Sequence, residues 1–132
     1  MLIKYGPLSR PAAVFGHNEQ DITVKLLLSG KIAEPMNDTV SAEKIDKYLE
    51  ITRSALEKLR IAAPDRSFGK RLADDFLEMA TSYYDDAKHF REAGDLVTAF
   101  AAVNYAHGWL DCGARIGLFD VGEDDVLFTL FE

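Results

Sequence analysis

The stretch GDLVTAFAAVNYAHGWLDCGARIGLFD, Gly94 to Asp120, constrains the fold more than any other part of the chain. From Leu96 to Leu110 it carries no formal charge over 15 residues. A membrane-spanning helix needs about 20 apolar residues, and this run is shorter and contains Asn104 and His107. It is also too apolar for a helix that shows water a full side. It therefore reads as the central helix of a bundle, covered over most of its circumference. Phe100, Val103, Leu110 and Ala114 fill one sector. Ala99, Ala102, Ala106, Gly113 and Gly117 form a broken stripe of small residues, against which a neighbouring backbone can pack closely. Each glycine inside a helix, Gly108 included, costs about 1 kcal/mol relative to alanine. Dense packing has to offset that cost.

The covering elements are legible too. Helix one is predicted over 41–61, capped by Thr39 or Ser41, with Glu43 and Asp46 at its positive end. Ile45, Tyr48, Leu49, Thr52, Leu56 and Leu59 recur at steps of three and four and give it one buried face. AAPDRS breaks it at Pro64. Helix two is predicted over 67–92, with a stripe of Leu72, Phe76, Met79, Ala80, Tyr83, Ala87 and Phe90. Gly94 suits the left-handed position after it, and Asp95 can cap helix three, predicted over 96–117. So short a turn makes helices two and three antiparallel. FDVGEDD reads as a loop, and VLFTLF as a short apolar piece of either type. The expected fold is all-α: a small antiparallel up-down bundle of three main helices plus short terminal elements.

Residues 1–35 differ from the rest. They hold three of the four prolines and carry a charge of +1 (4 basic, 3 acidic), against −8 (11 basic, 19 acidic) for residues 36–132. They are read as an arm, disordered or added by a start site placed upstream of Met36. Residues 36–132 are read as the bundle domain.

Composition excludes some functions. The net charge of −7 disfavours a nucleic-acid partner, because phosphate affinity needs clustered Lys and Arg. Arg66, Lys70 and Arg71 form only a small cluster. One cysteine, Cys112, leaves no internal disulfide and no multi-cysteine zinc site. It suits a reducing cytoplasm, and the N-terminal residues do not read as a signal peptide. No phosphate loop or glycine-rich dinucleotide motif is present, so no cofactor is expected.

Two constellations could carry chemistry. Asn104, His107, Asp111 and Arg115 share one side of helix three. His107 and Asp111 could work as an acid/base pair with Arg115 as an anion clamp, as in a small hydrolase or nucleotide-binding bundle. The reading preferred here is a narrow solvent face with a charge ladder one turn apart. Asp85 and His89 could share a metal on the acidic face of helix two, and a solvated face is again preferred. Cys112 reads as a small core residue. Tyr105, Trp109, Cys112 and Ile116 align on one side of helix three, with Trp109 half-buried against helix one or a partner. Together with Leu127, Phe128 and Phe131, residues Tyr105, Trp109 and Ile116 make more apolar surface than three helices need. The expected function is a non-enzymatic protein-interaction module, binding a protein partner or a second copy of itself as a homodimer. The competing expectation is that VLFTLF folds back over Tyr105, Trp109 and Ile116 and closes the monomer.

YYDDAKHFREAGDLVTAFAAVNYAHGWLDCGARIGLFDV resembles the archaeal family known as domain of unknown function 357. The residues that carry the resemblance are Tyr84, Ala87, Lys88, Phe90, Gly94, Asp95, Ala99, Phe100, Tyr105, Ala106, Gly108, Leu110, Asp111, Arg115, Gly117, Leu118 and Phe119. It covers roughly residues 40–130 and implies a small antiparallel helical bundle from an archaeal cytoplasm. It implies no activity.

Overall fold

The computed structural model of the chain describes residues 28–30 and 36–129. The expected arm, apart from 28–30, and Phe131 lie outside the described residues. The helical unit runs on from Val40. It contains α1 (Ala42–Lys58), β1 (Arg60–Ile61), α2 (Phe68–Glu92), α3 (Leu96–Arg115) and β2 (Phe119–Asp120).

Each helix starts where a side chain can take up orphan backbone N–H groups. Ser41 accepts from the Lys44 amide at 3.1 Å, Ser67 from Lys70 at 3.0 Å, and Asp95 from Thr98 at 3.2 Å. Both α2 and α3 end in the same paired bond around a left-handed glycine. After α2, Gly94 has φ 80°, its amide reaches Arg91 O at 3.2 Å, and Asp95 N reaches Phe90 O at 3.0 Å. After α3, Gly117 has φ 83°, with Gly117 N to Ala114 O at 3.2 Å and Leu118 N to Gly113 O at 2.9 Å. Gly117 is thus a helix terminator and not an interior residue, and α3 stops at Arg115, short of the expected 117.

The strands correct the expectation that helix one runs to Ile61. Leu59 turns extended, and Arg60 and Ile61 pair antiparallel with Asp120 and Phe119. The amide of Ala62 continues the connection to Leu118 O at 3.0 Å. That pairing supplies partners that a longer helix would have found within itself, just before Pro64 forbids helix altogether.

Ring and hydrogen-bond pairs give the topology. Phe76 meets Trp109 and Tyr83 meets Tyr105, so α2 and α3 are antiparallel. Tyr48 meets Phe100 and Thr52 meets His107, so α1 and α3 run the same way. The helices are up, down, up, as the sequence implies. Eight residues of α3 are buried, against three each in α1 and α2, which makes α3 the central helix. Ala73, Ala80 and Ala87 of α2, all 0% exposed, recur every seventh residue and leave room for close approach.

Candidate functional site

Every candidate on α3 is placed by the rotation of that one helix. Its inner side carries Ala99, Ala102, Ala106 and Leu110, all buried. Two other sectors remain, one beside α1 and one outward beside α2, and the structure treats them differently.

The sector beside α1 carries His107 and Asp111. It is not the solvent ladder expected of it. His107 is 1% exposed. Its Nε2 lies 2.9 Å from the Leu127 carbonyl oxygen and its Nδ1 3.1 Å from Thr52 Oγ1. A carbonyl oxygen only accepts, so Nε2 carries a proton, and in the neutral ring the Thr52 hydroxyl donates to Nδ1. Both ring nitrogens are thereby engaged within the protein. The Asp111 carboxylate, 3.7 Å from His107 Nε2, accepts from Thr129 N at 2.9 Å and from Thr129 Oγ1 at 3.3 Å. Arg115 is exposed in the last turn of α3. Asn104 donates back to Phe100 O on its own helix at 2.9 Å. The sector is thus a set of ties joining α1, α3 and residues 127–129. It departs from expectation because that segment lies over it and Thr52 supplies the missing hydroxyl.

The segment is positioned by the loop before it. Asp124 accepts from the amides of Val126 and Leu127, each at 2.9 Å, and pairs with Lys58 of α1. Lys58 first, and then those two amides, hold the Asp124 carboxyl below its usual range, against the opposing effect of burial. Phe128, expected on an interaction surface, is 0% exposed and belongs to the buried cluster that includes Ala55, Ala73, Leu110 and Ala114. Leu127 is half-buried against the same cluster. Phe128 goes inward because alanines line that part of the core and leave space for a ring.

The outward sector is open. Asn104, Tyr105, Gly108, Trp109 and Cys112 line a groove of about 320 Å³. Cys112, expected in the core, is exposed here, since Gly113 takes the inward position against Phe119. Trp109 is half-buried, with its ring against Phe76 of α2 (ring centroids 4.9 Å apart, nearly perpendicular) and Tyr105 (6.0 Å). Its indole Nε1 is buried with no hydrogen-bond acceptor among the described residues. Tyr105 and Ile116 are 49% and 59% exposed, and Val97 is 73% exposed. Among the described residues, apart from the backbone of α3 itself, nothing lies within 4 Å of where a Cβ on Gly108 would sit.

On α2, Asp85 pairs with Lys88 at 2.7 Å, and His89 is exposed and meets Phe90 edge-on. No group of three or more His, Cys, Asp or Glu that could hold a metal ion exists among the described residues. The bidentate Arg91–Asp46 pair, at 2.8 and 3.0 Å, ties α2 to α1 and holds the Asp46 carboxyl low.

Sequence reasoning missed Thr52 and Thr129 as partners of the His107 sector, and Val97 and Gly108 as outward residues. Thr52 did give a signal: a hydroxyl within an otherwise apolar face asks for a buried partner.

A family model described as a protein of unknown function (DUF357) matches residues 47–119, more than half of the chain. No curated protein and no solved structure gives a match.

Proposed function

Because the chain belongs to the DUF357 family, whose description attaches no chemistry, we propose its function from its surface: it is a helical interaction module that docks through the outward side of α3. One observation carries this reading. The central helix keeps an open groove with a glycine in its floor, and Tyr105, Ile116 and Val97 stand exposed along the same side. Exposed apolar surface of this kind usually meets a partner, and a glycine lets another backbone approach closely. The partner proposed is a second copy, since a two-fold dimer places the same face on both chains and needs nothing else. The acidic balance opposes a polyanionic partner. The setting proposed is an archaeal cytoplasm, supported by the single, exposed cysteine and by the family resemblance. No helix among the described residues is long and apolar enough to cross a membrane. The hydrolase alternative has less support, because both nitrogens of His107 are engaged internally.

Gly108→Glu tests the proposal. The site has room for the side chain, so the fold is kept, while a charge in the groove cannot be desolvated cheaply. At a concentration of about 100 μM, which detects micromolar and tighter association, sedimentation should give twice 14.7 kDa for the wild type and 14.7 kDa for the variant. A monomeric wild type, or a variant that still pairs, would overturn it.

A further inference from the structure

Residues 127–129 are held by the bundle in the way a receptor holds a peptide. Among the described residues they donate or accept no backbone–backbone hydrogen bond to any helix or strand. What fixes them is side chains. His107 Nε2 donates to the carbonyl before Phe128, and the Asp111 carboxylate accepts the amide and hydroxyl of Thr129 after it. Between these contacts Phe128 is fully buried within the apolar cluster. Leu127, the last residue of a turn, and Thr129 stay half-buried on either side of the bend at Phe128. His107 Nδ1 is bonded to Thr52 Oγ1 of α1, a tie that orients the ring independently of the segment. Main-chain contacts on both sides of one buried anchor are how peptide sites combine affinity with selectivity.

We propose that this cleft, where α1 meets α3, is a peptide-binding site for a short turn-like segment reading apolar–Phe–Thr. Residues 127–129 occupy it within one chain, and a separate peptide carrying the same residues can occupy it in their place. The resident segment leaves by movement of the connection Val121–Asp125, which holds a turn at 122–123, has Gly122 at φ 63°, and is tied to α1 through Lys58 and Asp124. The site lies on the α1 side of α3, apart from the outward groove, and does not depend on the docking proposed for that groove.

The test uses the full chain carrying Phe128→Ala, which empties the pocket, and a fluorescent synthetic peptide of residues 124–132. The variant should bind the peptide saturably, and its melting temperature should rise toward the wild-type value as peptide is added. The wild type should bind about tenfold more weakly or worse, because its own segment competes for the site. A peptide that itself carries Phe128→Ala should not bind. Should Phe128→Ala fail to fold, Phe128→Leu leaves a smaller void and is read the same way, with the peptide displacing a weakened resident. No saturable binding, no rise in melting temperature, or equal binding of the two peptides would overturn the proposal. Gly108→Glu added to the Phe128→Ala chain should leave peptide binding unchanged, which separates this outcome from failure of groove docking.

Discussion

Gly108 and Gly113 lie on the same helix and have opposite roles. An added Cβ at Gly108 meets nothing, while one at Gly113 would collide with the ring of Phe119. Gly108→Ala should therefore stabilise the folded chain by about 1 kcal/mol, the ordinary helix preference. Gly113→Ala should destabilise it by about 1–3 kcal/mol through overpacking. Denaturant titration of both variants checks the pair, and shifts of the same sign would contradict the packing described. The sequence marks both only as costly glycines, since helical spacing tells which residues share a side but not what faces them. The same gap explains His107. Its alignment with Asp111 was legible, but its covering was not, because Thr52 lies 55 positions away in sequence and Leu127 beyond a loop.

At the scale of elements, helix spans follow from local causes: caps at Ser41, Ser67 and Asp95, and terminators at Gly94 and Gly117. The spans were readable within a residue or two, apart from the early end of α1, while Gly117 reads from spacing alone as one more small residue of the interior stripe. That end depends on pairing with Phe119 and Asp120, a non-local contact of two-residue strands too short to show a period. The loop carrying Asp124 yields a prediction about acid. Its carboxyl titrates lower in the folded chain than in the unfolded one, so the folded state binds fewer protons as pH falls. The stabilisation is fully present above the ordinary aspartate value of about 4 and disappears as pH drops through the depressed folded value. Asp124→Asn keeps an oxygen for the amides of Val126 and Leu127 but loses the charge that pairs with Lys58. Melting curves between about pH 6 and pH 2 should then fall less steeply for the variant than for the wild type. Parallel curves would show that the Lys58–Asp124 pair contributes nothing to acid sensitivity.

At the scale of the molecule, surplus apolar surface was legible, but which side of α3 would stay open was not. The sequence framed a choice between VLFTLF covering Tyr105, Trp109 and Ile116 and a second copy covering them. The described part of that piece lies over His107, and among the described residues the other side carries an open groove. Two copies with a net charge of −7 each repel one another at long range. A dimer formed through an uncharged groove should therefore tighten as sodium chloride rises from about 0.05 to 0.5 M, because screening removes repulsion and costs no interfacial ion pair. Sedimentation across that range tests this, and weakening with salt would mean that charges hold the interface. The turn at Gly94 and Asp95 bears on how the molecule assembles in time. It joins α2 to α3 through neighbours in sequence, so that hairpin closes at small entropic cost, while Phe128 must return to a pocket built from all three helices. Assembly is then expected to nucleate in the hairpin and to dock Phe128 late. A contact made after the rate-limiting step slows unfolding without speeding folding. The lifetime of the native state therefore depends on a side chain that the folding nucleus does not contain.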